Sequence, residues 1–458
     1  MSKSTRQSVR FPDLLTKPVV AEFNAESTTS DGGAVLLKAV DERLHITETL
    51  ACFVHDPREP GKVAHDVRDL VRQRVYGLAC GYADTDEVAR LGDDPMQKLL
   101  AERDPIEGAR LASQATLSRF ENSVSRSDLM RLGLSLMDTL LAAHHRRLRG
   151  RKPERITIDL DPSDDPAHGL QEGSCFNGHY DVRCYLPLFA FVTFGDEPEQ
   201  YAVGALLRRG TAPPTEGCFW LLRQLTSRLR RLFPKAKLRI RLDGGFAGPR
   251  LLEWLEAEKL EYVLGLARNE VLETHASRLT QQAWEAFDRH GRTVTLFGET
   301  SYAARSWRRR ARRIVIKTEV VQHDGRLPRE NVRFVVTNLP HRPQKVYEIY
   351  RQRGEIENRL KELFDGMAIG RTSCSRFLAN QLRVLLTLAA YGLMQELRRR
   401  LTSLGCGRPQ VHKLRLMLIK IGGWVKSSVR RIVLHLAQNH PWAQPWRRVA
   451  RGLGGASP

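Results

Sequence analysis

The sequence predicts an α/β protein with several domains, built around one mixed sheet. The chain has 458 residues, which is too long for one ordinary core. Hydrophobic residues make up 41% and charged residues 27%, a balance typical of globular proteins. Strand-like segments occupy the middle of the chain, and no run reaches the roughly 18 uninterrupted apolar residues of a membrane-spanning helix. The predicted sheet is therefore flanked by regions of a different character.

Residues 1–150 are predicted to form an all-helical N-terminal domain. The segments "GAVLLKAVDERL", "VAHDVRDLVRQRVYGLACGY" and "SDLMRLGLSLMDTLLAAHHRRLRG" repeat apolar residues at intervals of three and four. Within this domain, "SQATLSRFENSV" is a polar turn followed by a helix that presents Ser118, Arg119 and Asn122 outward. That arrangement suits a recognition helix that contacts DNA through Arg119. An ordinary amphipathic helix of a bundle is the alternative.

The next region, residues 151–268, is predicted to contain most of the sheet. Strand-like text appears in "ITIDLD", "CYLPLFAFVTF" and "YAVGALL", followed by the helix "CFWLLRQLTSRLRRLF", the strand "LRIRLDGG", the short helix "PRLLEWLEAE" and the strand "YVLGLA". Three consecutive strands followed by alternating helix and strand are the reading order of an RNase H-like sheet. We therefore predict an RNase H-like fold for this region.

The remaining chain divides into three predicted parts. Residues 269–329 are polar and rich in Arg, and we interpret them as an insertion. The sheet domain resumes over 330–396 with the buried strand "VRFVVTNLP" and a long helix over 343–365. Residues 397–458 hold thirteen Lys or Arg and no Asp or Glu, with Trp424, Trp442 and Trp446 interleaved. This basic C-terminal region is predicted to contact the phosphate backbone of a nucleic acid.

Composition also limits the partners and the compartment. The chain has 73 Lys and Arg against 52 Asp and Glu, a net charge of +21, which favours a polyanionic partner such as nucleic acid. An acidic membrane surface is disfavoured, because no basic helix has a continuous apolar face. The N-terminal residues lack the apolar core of a signal peptide, and the seven cysteines form no C-x-x-C pair. These features predict a protein of the reducing cytoplasm.

Acidic side chains end two of the strands predicted for the sheet. In "RITIDLDPSDD" the apolar residues alternate, so Asp159 and Asp161 share the opposite face of the strand. In "LRIRLDGGFAG", Asp243 ends the strand before a glycine pair that permits a sharp turn. Carboxylates at the ends of two strands of one sheet can converge on a hard cation. The alternative is that each Asp caps a turn or a helix.

A third carboxylate lies on the predicted helix that contains "YRQRGEIENRLKEL". Its apolar residues form a stripe with a period of 3.6, and Glu357 lies about 100° from Ile356, at the edge of the buried face. Glu357 could therefore point into a cleft and hold a metal. Arg353 and Lys361 lie one turn before and after it, so an exposed ladder of ion pairs explains the same spacing.

These residues together resemble the DDE transposases of bacterial insertion sequences, in the branch with a Tyr-Arg-Glu-Lys signature. Tyr350, Arg353 and Glu357 match its Y-x-x-R-x-x-x-E spacing, while "LDGGF" and "VVTNL" are similar to the segments around its second acid and before its signature helix. The resemblance spans roughly residues 155–395. The usual Lys position, seven residues after the glutamate, holds Phe364, so Lys361 is the candidate for that role.

The resemblance implies a function and a set of ligands. Asp161, Asp243 and Glu357 would be catalytic and would hold two Mg²⁺, with Mn²⁺ as a substitute; Asp161 is preferred to Asp159 because "DPS" fits the family pattern. It also implies a β-rich character for the insertion at 269–329. The implied reaction is hydrolysis and strand transfer at terminal inverted repeats of double-stranded DNA, in a dimeric synaptic complex.

The resemblance also implies DNA contacts beyond the acids. Tyr350, Arg353 and Lys361 would contact phosphate near the scissile bond. Trp307, surrounded by Arg in "RSWRRRARR", would stack on a flipped base, with ordinary packing as the alternative. Two rival functions stay open: a metal-dependent endonuclease that cleaves without joining, and a non-catalytic DNA-binding regulator derived from a transposase.

Overall fold

The computed structural model describes residues 8–13, 15–307, 310–323 and 325–456. The first described residues form short strands, β1 (Val9–Phe11), β2 (Val19–Ala21) and β3 (Thr28–Thr29). Helices follow: α1 (Val35–Leu44), α2 (Ile46–Cys52), α3 (Val67–Cys80), α4 (Thr85–Arg90), α5 (Pro95–Leu100), α6 (Gln114–Ser123) and α7 (Arg126–Arg147). The region is thus helical from Val35 onward, and the short strands depart from the all-helical prediction.

The central sheet begins directly after these helices. Its first strands are β4 (Arg155–Pro162), β8 (Leu188–Phe194), β9 (Tyr201–Leu206), β10 (Lys237–Leu242) and β11 (Glu261–Leu266), while β5 (Asp165–Pro166), β6 (Cys175–Asn177) and β7 (Val182–Tyr185) form a small separate sheet. Strands β4, β10 and β11 run parallel, and β8 and β9 are antiparallel neighbours on the β4 side. Helices α8 (Cys218–Leu232) and α9 (Pro249–Ala257) connect the later strands. This mixed sheet is compatible with an RNase H-like domain.

The segment predicted as an insertion extends this sheet. It forms α10 (Glu270–His290), β12 (Val294–Tyr302) and β13 (Arg312–Val321), and it ends at β14 (Arg329–Thr337). Strand β14 pairs with β11, so the complete order is β12-β13-β14-β11-β10-β4-β8-β9. Residues 269–329 therefore continue the same sheet and add one helix to one of its faces.

The predicted long helix over 343–365 is interrupted in the structure. It consists of α11 (Pro343–Arg351), a 3₁₀ turn (Gln352–Gly354), α12 (Glu355–Lys361) and a π-helical turn (Glu362–Gly366). The predicted apolar stripe accordingly packs in two places. Val346 and Ile349 lie on the sheet face of β11, β13 and β14, whereas Ile356 and Leu363 lie in the core shared with the N-terminal helices.

The C-terminal part contains the longest helix, α13 (Phe377–Ser403), followed by α14 (Val411–Leu418), β15 (Gly423–Ser428), β16 (Arg431–Leu436) and α15 (Ala443–Gly452). Helix α13 is long and apolar enough to cross a membrane, but 89% of its most apolar stretch is buried inside the protein. It packs on α1, α3, α6, α7 and β9. The predicted boundary at 397 falls inside α13.

Two cores lie on opposite faces of the sheet. Strand β8 illustrates the division: Phe189 and Phe191 face the core built with the N-terminal helices and α13, whereas Ala190 and Val192 face the core built with α8, α9 and α10. This alternation is that of a strand buried on both faces. Asp161 and Asp243, two of the three predicted catalytic acids, therefore lie at the ends of strands in the part of the sheet that is covered on both sides.

Candidate active site

Two of the three predicted acids meet at one edge of the sheet. Strands β4 and β10 are adjacent and parallel, so their C-terminal ends lie side by side, with Asp161 near the end of one and Asp243 just after the other. The Nη2 atom of Arg353 donates a hydrogen bond to Asp161 and lies 3.4 Å from Oδ2 of Asp243. The two carboxylates, far apart along the chain, thus share one guanidinium.

Asp243 is held in place by the turn that follows β10. Its Oδ1 accepts a hydrogen bond from the backbone N–H of Gly245 at 2.9 Å, which caps a 3₁₀ turn over Gly244–Phe246. The capping alternative considered for this residue is therefore real. It leaves the other oxygen, Oδ2, directed to Arg353. One carboxylate thus both caps a turn and faces the site.

A close approach of backbone supports this turn from the neighbouring strand. A Cβ atom at Gly265 of β11 would lie 2.5 Å from the Tyr350 hydroxyl and 2.8 Å from the backbone nitrogen of Gly244. Both distances are shorter than a carbon atom allows. Because Gly265 has no side chain, the Tyr350 hydroxyl and the turn over Gly244–Phe246 can pack directly against the backbone of β11.

The neighbouring acid Asp159 is fully engaged inside the protein. It is buried, and its two oxygens accept hydrogen bonds from Arg241 at 2.6 and 2.8 Å and from Gln200 at 3.1 Å. Arg241 and Asp159 are direct cross-strand partners. The sequence interpretation missed this pair, although an Arg on the non-apolar face of "LRIRLD" is the signal that would have indicated it.

Burial controls the electrostatics of Asp161. Only 7% of this residue is exposed, and burial raises the pKa of its carboxyl to about 7, while the positive charge of Arg353 opposes that rise. Burial also raises the pKa of the Tyr350 phenol. The Nε of Arg353 is buried without a hydrogen-bond partner among the described residues. In this cluster, two carboxylates, those of Asp161 and Asp243, therefore share the single guanidinium of Arg353, and one N–H of that guanidinium lacks an acceptor among the described residues.

Glu357 lies on α12, one helical turn after Arg353. Its side chain is exposed, and within the described ranges it takes part in no hydrogen bond or ion pair. In the same part of the chain, no group of three or more His, Cys, Asp or Glu side chains is arranged to hold a metal. Glu357 as a third ligand therefore stays a prediction.

The residues around the signature have distinct environments. Phe364, at the usual Lys position, packs in the core with its ring 6.0 Å from that of Phe189. Lys361 is exposed one turn earlier, so its DNA contact stays a prediction. Phe364 thus has a packing role that a Lys could not fill.

Trp307 has the environment of a core residue. It is 3% exposed, its ring lies 5.5 Å from that of Tyr302, and the Arg312 guanidinium lies 5.0 Å from its centroid. The ring is covered in the conformation described, so the base-stacking role of Trp307 stays a prediction. The packing alternative is the one that the structure shows. Residues 308 and 309 of the same Arg-rich segment lie outside the described residues.

Arg119 is exposed on α6, whose buried face consists of Leu117, Phe120 and Glu121. It lines a surface groove together with Arg58 and other residues of the α2–α3 connection. This exposure is what a recognition helix requires, and the DNA contact of Arg119 stays a prediction.

Much of the charge of the basic C-terminal region is neutralised inside the protein. Six of its cations contact carboxylates or backbone carbonyls of the protein, in two cases a carboxylate of their own helix α13: Arg398, Arg399, Arg400, Arg408, Arg415 and Lys420. The exposed cations are Lys413, Lys426, Arg430, Arg431, Arg447, Arg448 and Arg451. About half of the thirteen cations therefore remain for a polyanion.

A second cluster of acids and Arg lies beneath α12. Glu362 accepts hydrogen bonds from Arg398, from Tyr391 at 2.8 Å and from the Val411 N–H at 3.0 Å, and it forms an ion pair with Arg359 at 2.7 Å. A further buried acid, Glu199, contacts the same two guanidiniums and Gln395. This buried network joins α12 to α13 and β9.

The sheet order and the paired aspartates at adjacent strand ends are compatible with an RNase H-like DDE domain. The chain belongs to the family described as Transposase DDE domain group 1, whose family model matches residues 11–456. No curated protein matches the chain in a sequence search. Membership of this family supports a transposase function, implies DNA binding, and points to nuclease and strand-transferase chemistry.

Proposed function

We propose that this protein catalyses cut-and-paste transposition of a bacterial insertion sequence. It would hydrolyse phosphodiester bonds at terminal inverted repeats and then join the released ends to target DNA. The observation that carries the proposal is the meeting of Asp161 and Asp243, at the ends of adjacent parallel strands, on one guanidinium. Family membership supplies the independent support.

The donor set fits divalent metal ions. Asp161 and Asp243 offer carboxylate oxygens, the ligands that Mg²⁺ and Mn²⁺ prefer, and they already face a cationic group. Glu357 would complete the set from α12. When two such ions are bound, they supply the charge that activates a water or a 3′-hydroxyl and that stabilises the leaving oxygen.

The remaining residues would position the DNA. Arg353 would exchange its carboxylate partners for a phosphate of the scissile strand, because its planar fork of donors suits both. The Tyr350 hydroxyl, held beside Gly244 and Gly265, would donate a hydrogen bond to the same backbone. Lys361 would contact a neighbouring phosphate, and the α6 helix with Arg119 would read the inverted repeat.

Two copies of the chain would act together, each cleaving the end bound by its partner. The test uses purified protein, end-labelled duplexes carrying the inverted repeats that flank the gene, and Mg²⁺. Joined product supports the proposal. Cleavage without joining would instead indicate an endonuclease, and binding without cleavage would indicate a regulator. Full cleavage of paired ends by a monomeric protein would overturn the action in trans.

A further inference from the structure

One face of the β13–β14 pair is only partly covered. Along each strand, alternate residues face α10 on one side; the other side carries Val315 and Val335, which pack under α11. Beyond them, three cross-strand pairs follow on this second side: Lys317 with Arg333, Glu319 with Asn331, and Val321 with Arg329. Helix α11 reaches the first of these pairs, where the Tyr347 ring lies 5.4 Å from Nζ of Lys317, and the pairs line open depressions.

The charge of this face is positive once its internal pairs are counted. Glu319 is neutralised by Lys317 at 2.7 Å and also accepts a hydrogen bond from Thr295 at 3.2 Å. Arg329 and Arg333 are exposed, and within the described ranges neither contacts an acid. Arg351, at the end of α11, is exposed in the same way. Among the residues that the structure describes, three guanidiniums are thus left without an internal counter-charge.

The face is continuous with the candidate active site. It lines two open depressions of about 370 and 540 Å³, which share Glu319, Asn331 and Arg333. The first depression is also lined by Tyr350 and Arg353. A chain of phosphates lying along this face would therefore arrive at the guanidinium that bridges Asp161 and Asp243.

We propose that the β13–β14 face, defined by Lys317, Arg329, Asn331, Arg333 and Arg351, binds the sugar-phosphate backbone of the DNA strand that enters the active site. The four strand rises from Arg329 to Arg333 span about 13 Å, enough to contact a short run of phosphates on one DNA strand. Guanidiniums and an amide are suitable donors for phosphate oxygens. The assignment to the scissile strand rests on the proposed function; the binding of DNA by this face does not.

The test compares two double variants with the same loss of charge. Arg333→Ala with Arg351→Ala removes two cations of the face, and Arg278→Ala with Arg289→Ala removes two exposed cations of α10, which covers the opposite side of the sheet. Binding to a labelled duplex is measured by fluorescence anisotropy in EDTA over a range of salt concentrations. The slope of the logarithm of the binding constant against the logarithm of the salt concentration is negative. The face variant should reduce its magnitude by about 1.8, since each lost phosphate contact contributes about 0.9.

Equal slopes for the two double variants would overturn the proposal. Thermal unfolding serves as the folding control, and both variants should match the wild-type protein because neither pair of side chains is buried. Wild-type protein that binds but never cleaves would remove the proposed function, while the slope difference would still support the face as a DNA site.

The position of the bound strand is tested by phosphate ethylation interference on a cleavable end. The wild-type protein should show interference at phosphates next to the cleavage site, and the face variant should lose that signal while keeping the signal at distant phosphates. An unchanged pattern in the face variant would contradict the assignment to the scissile strand.

Discussion

Two clusters of acids and Arg lie on either side of α12, and they differ in charge balance. The buried network under α12 surrounds two acids, Glu199 and Glu362, with the guanidiniums of Arg359 and Arg398, and Arg408 lies 3.9 Å from Glu199 as well. The candidate active site matches Asp161 and Asp243 with Arg353 alone. Buried ion pairs are stable only when charges and hydrogen bonds are matched. The first cluster therefore stabilises the fold, while the second has more carboxylates than guanidiniums.

The excess is what a cation-binding site requires. A carboxylate that is already neutralised by protein groups, like Asp159 beside Arg241, offers little to a metal. Asp161 and Asp243 share one Arg, so a divalent cation can gain from both. Acids that are paired with guanidiniums, such as Glu362, hold helices and strands together, whereas acids that lack full pairing, such as Asp161 and Asp243, are left to bind a ligand. Substitutions at both kinds of acid test this distinction.

The largest expected effect is on catalysis. Asp161→Asn and Asp243→Asn should each lower DNA cleavage by at least about a thousandfold, because each removes charge that holds metal ions worth several kcal/mol to the transition state. Cleavage of end-labelled inverted-repeat DNA in Mg²⁺ measures the effect. Asp164→Asn, in the same segment, is the control and should cleave normally. Cleavage by Asp161→Asn at the rate of that control would contradict the assignment of Asp161.

The buried network should instead affect stability. Glu362→Gln leaves Arg359 and Arg398 with one fewer acid, and we expect a loss of about 3–5 kcal/mol in the free energy of unfolding. Denaturant titration measures the change. Glu355→Gln, at the first residue of α12, is the control, since its ion pair with Arg408 at 3.4 Å is largely exposed and contributes under about 1 kcal/mol. Equal losses in both variants would refute the distinction.

A smaller effect is expected at the backbone contact beneath Tyr350. Gly265→Ala places a methyl group against the Tyr350 hydroxyl and the Gly244 backbone, and such overpacking costs about 1–3 kcal/mol. The free energy of unfolding and the rate of DNA cleavage should both fall, because the turn that holds Asp243 must shift. Gly354→Ala is the matched control, since nothing lies within 4 Å of its added carbon. A fully active, stable Gly265→Ala protein would show that this packing is dispensable.

The smallest effect concerns a buried acid without any Arg. Burial raises the pKa of Asp165 to about 7 from its ordinary value of 3.8, a hydrogen bond from Thr372 opposes the rise, and Asp164 adds to it. A raised pKa gives stability that is complete below about pH 4 and is lost as the pH rises through 7. Asp165→Asn does not titrate, so it should gain stability relative to wild type between pH 5 and pH 8. Unfolding curves at both values measure this, and a constant difference would contradict it.

Local patterns in the sequence predicted the parts of the site that depend on one strand. Alternation along β4 separated Asp159 and Asp161 from the apolar face, and the glycines after Asp243 indicated the turn. The family resemblance led to the preference for Asp161, whereas the engagement of Asp159 by Arg241 involves the next strand of the sheet, which a single segment does not reveal. The third acid, Glu357, depends on how α12 sits on the sheet, and it remains a prediction.

Contacts between distant segments account for the other differences. Trp307, in the β12–β13 connection beside Tyr302 and Arg312, is buried because it packs in the core built with α8, α9 and α10. The interruption after Arg351 was hidden because both halves of the helix are apolar on one side, although they pack in different cores. The sequence overestimates how many cations of the C-terminal region are free to bind a polyanion, because some of their partners, such as Asp31 beside Lys420, come from the opposite end of the chain.

The long helix α13 joins the two ends of the polypeptide in one core. During synthesis, the helices before residue 150 emerge long before α13, their main packing partner, leaves the ribosome. Such sequence-distant contacts form late, and the early helices keep their apolar faces exposed until then. A transposase made this way completes its fold only when nearly the whole chain is present, so shortened translation products would lack both a stable N-terminal half and the helices that carry Arg353 and Glu357.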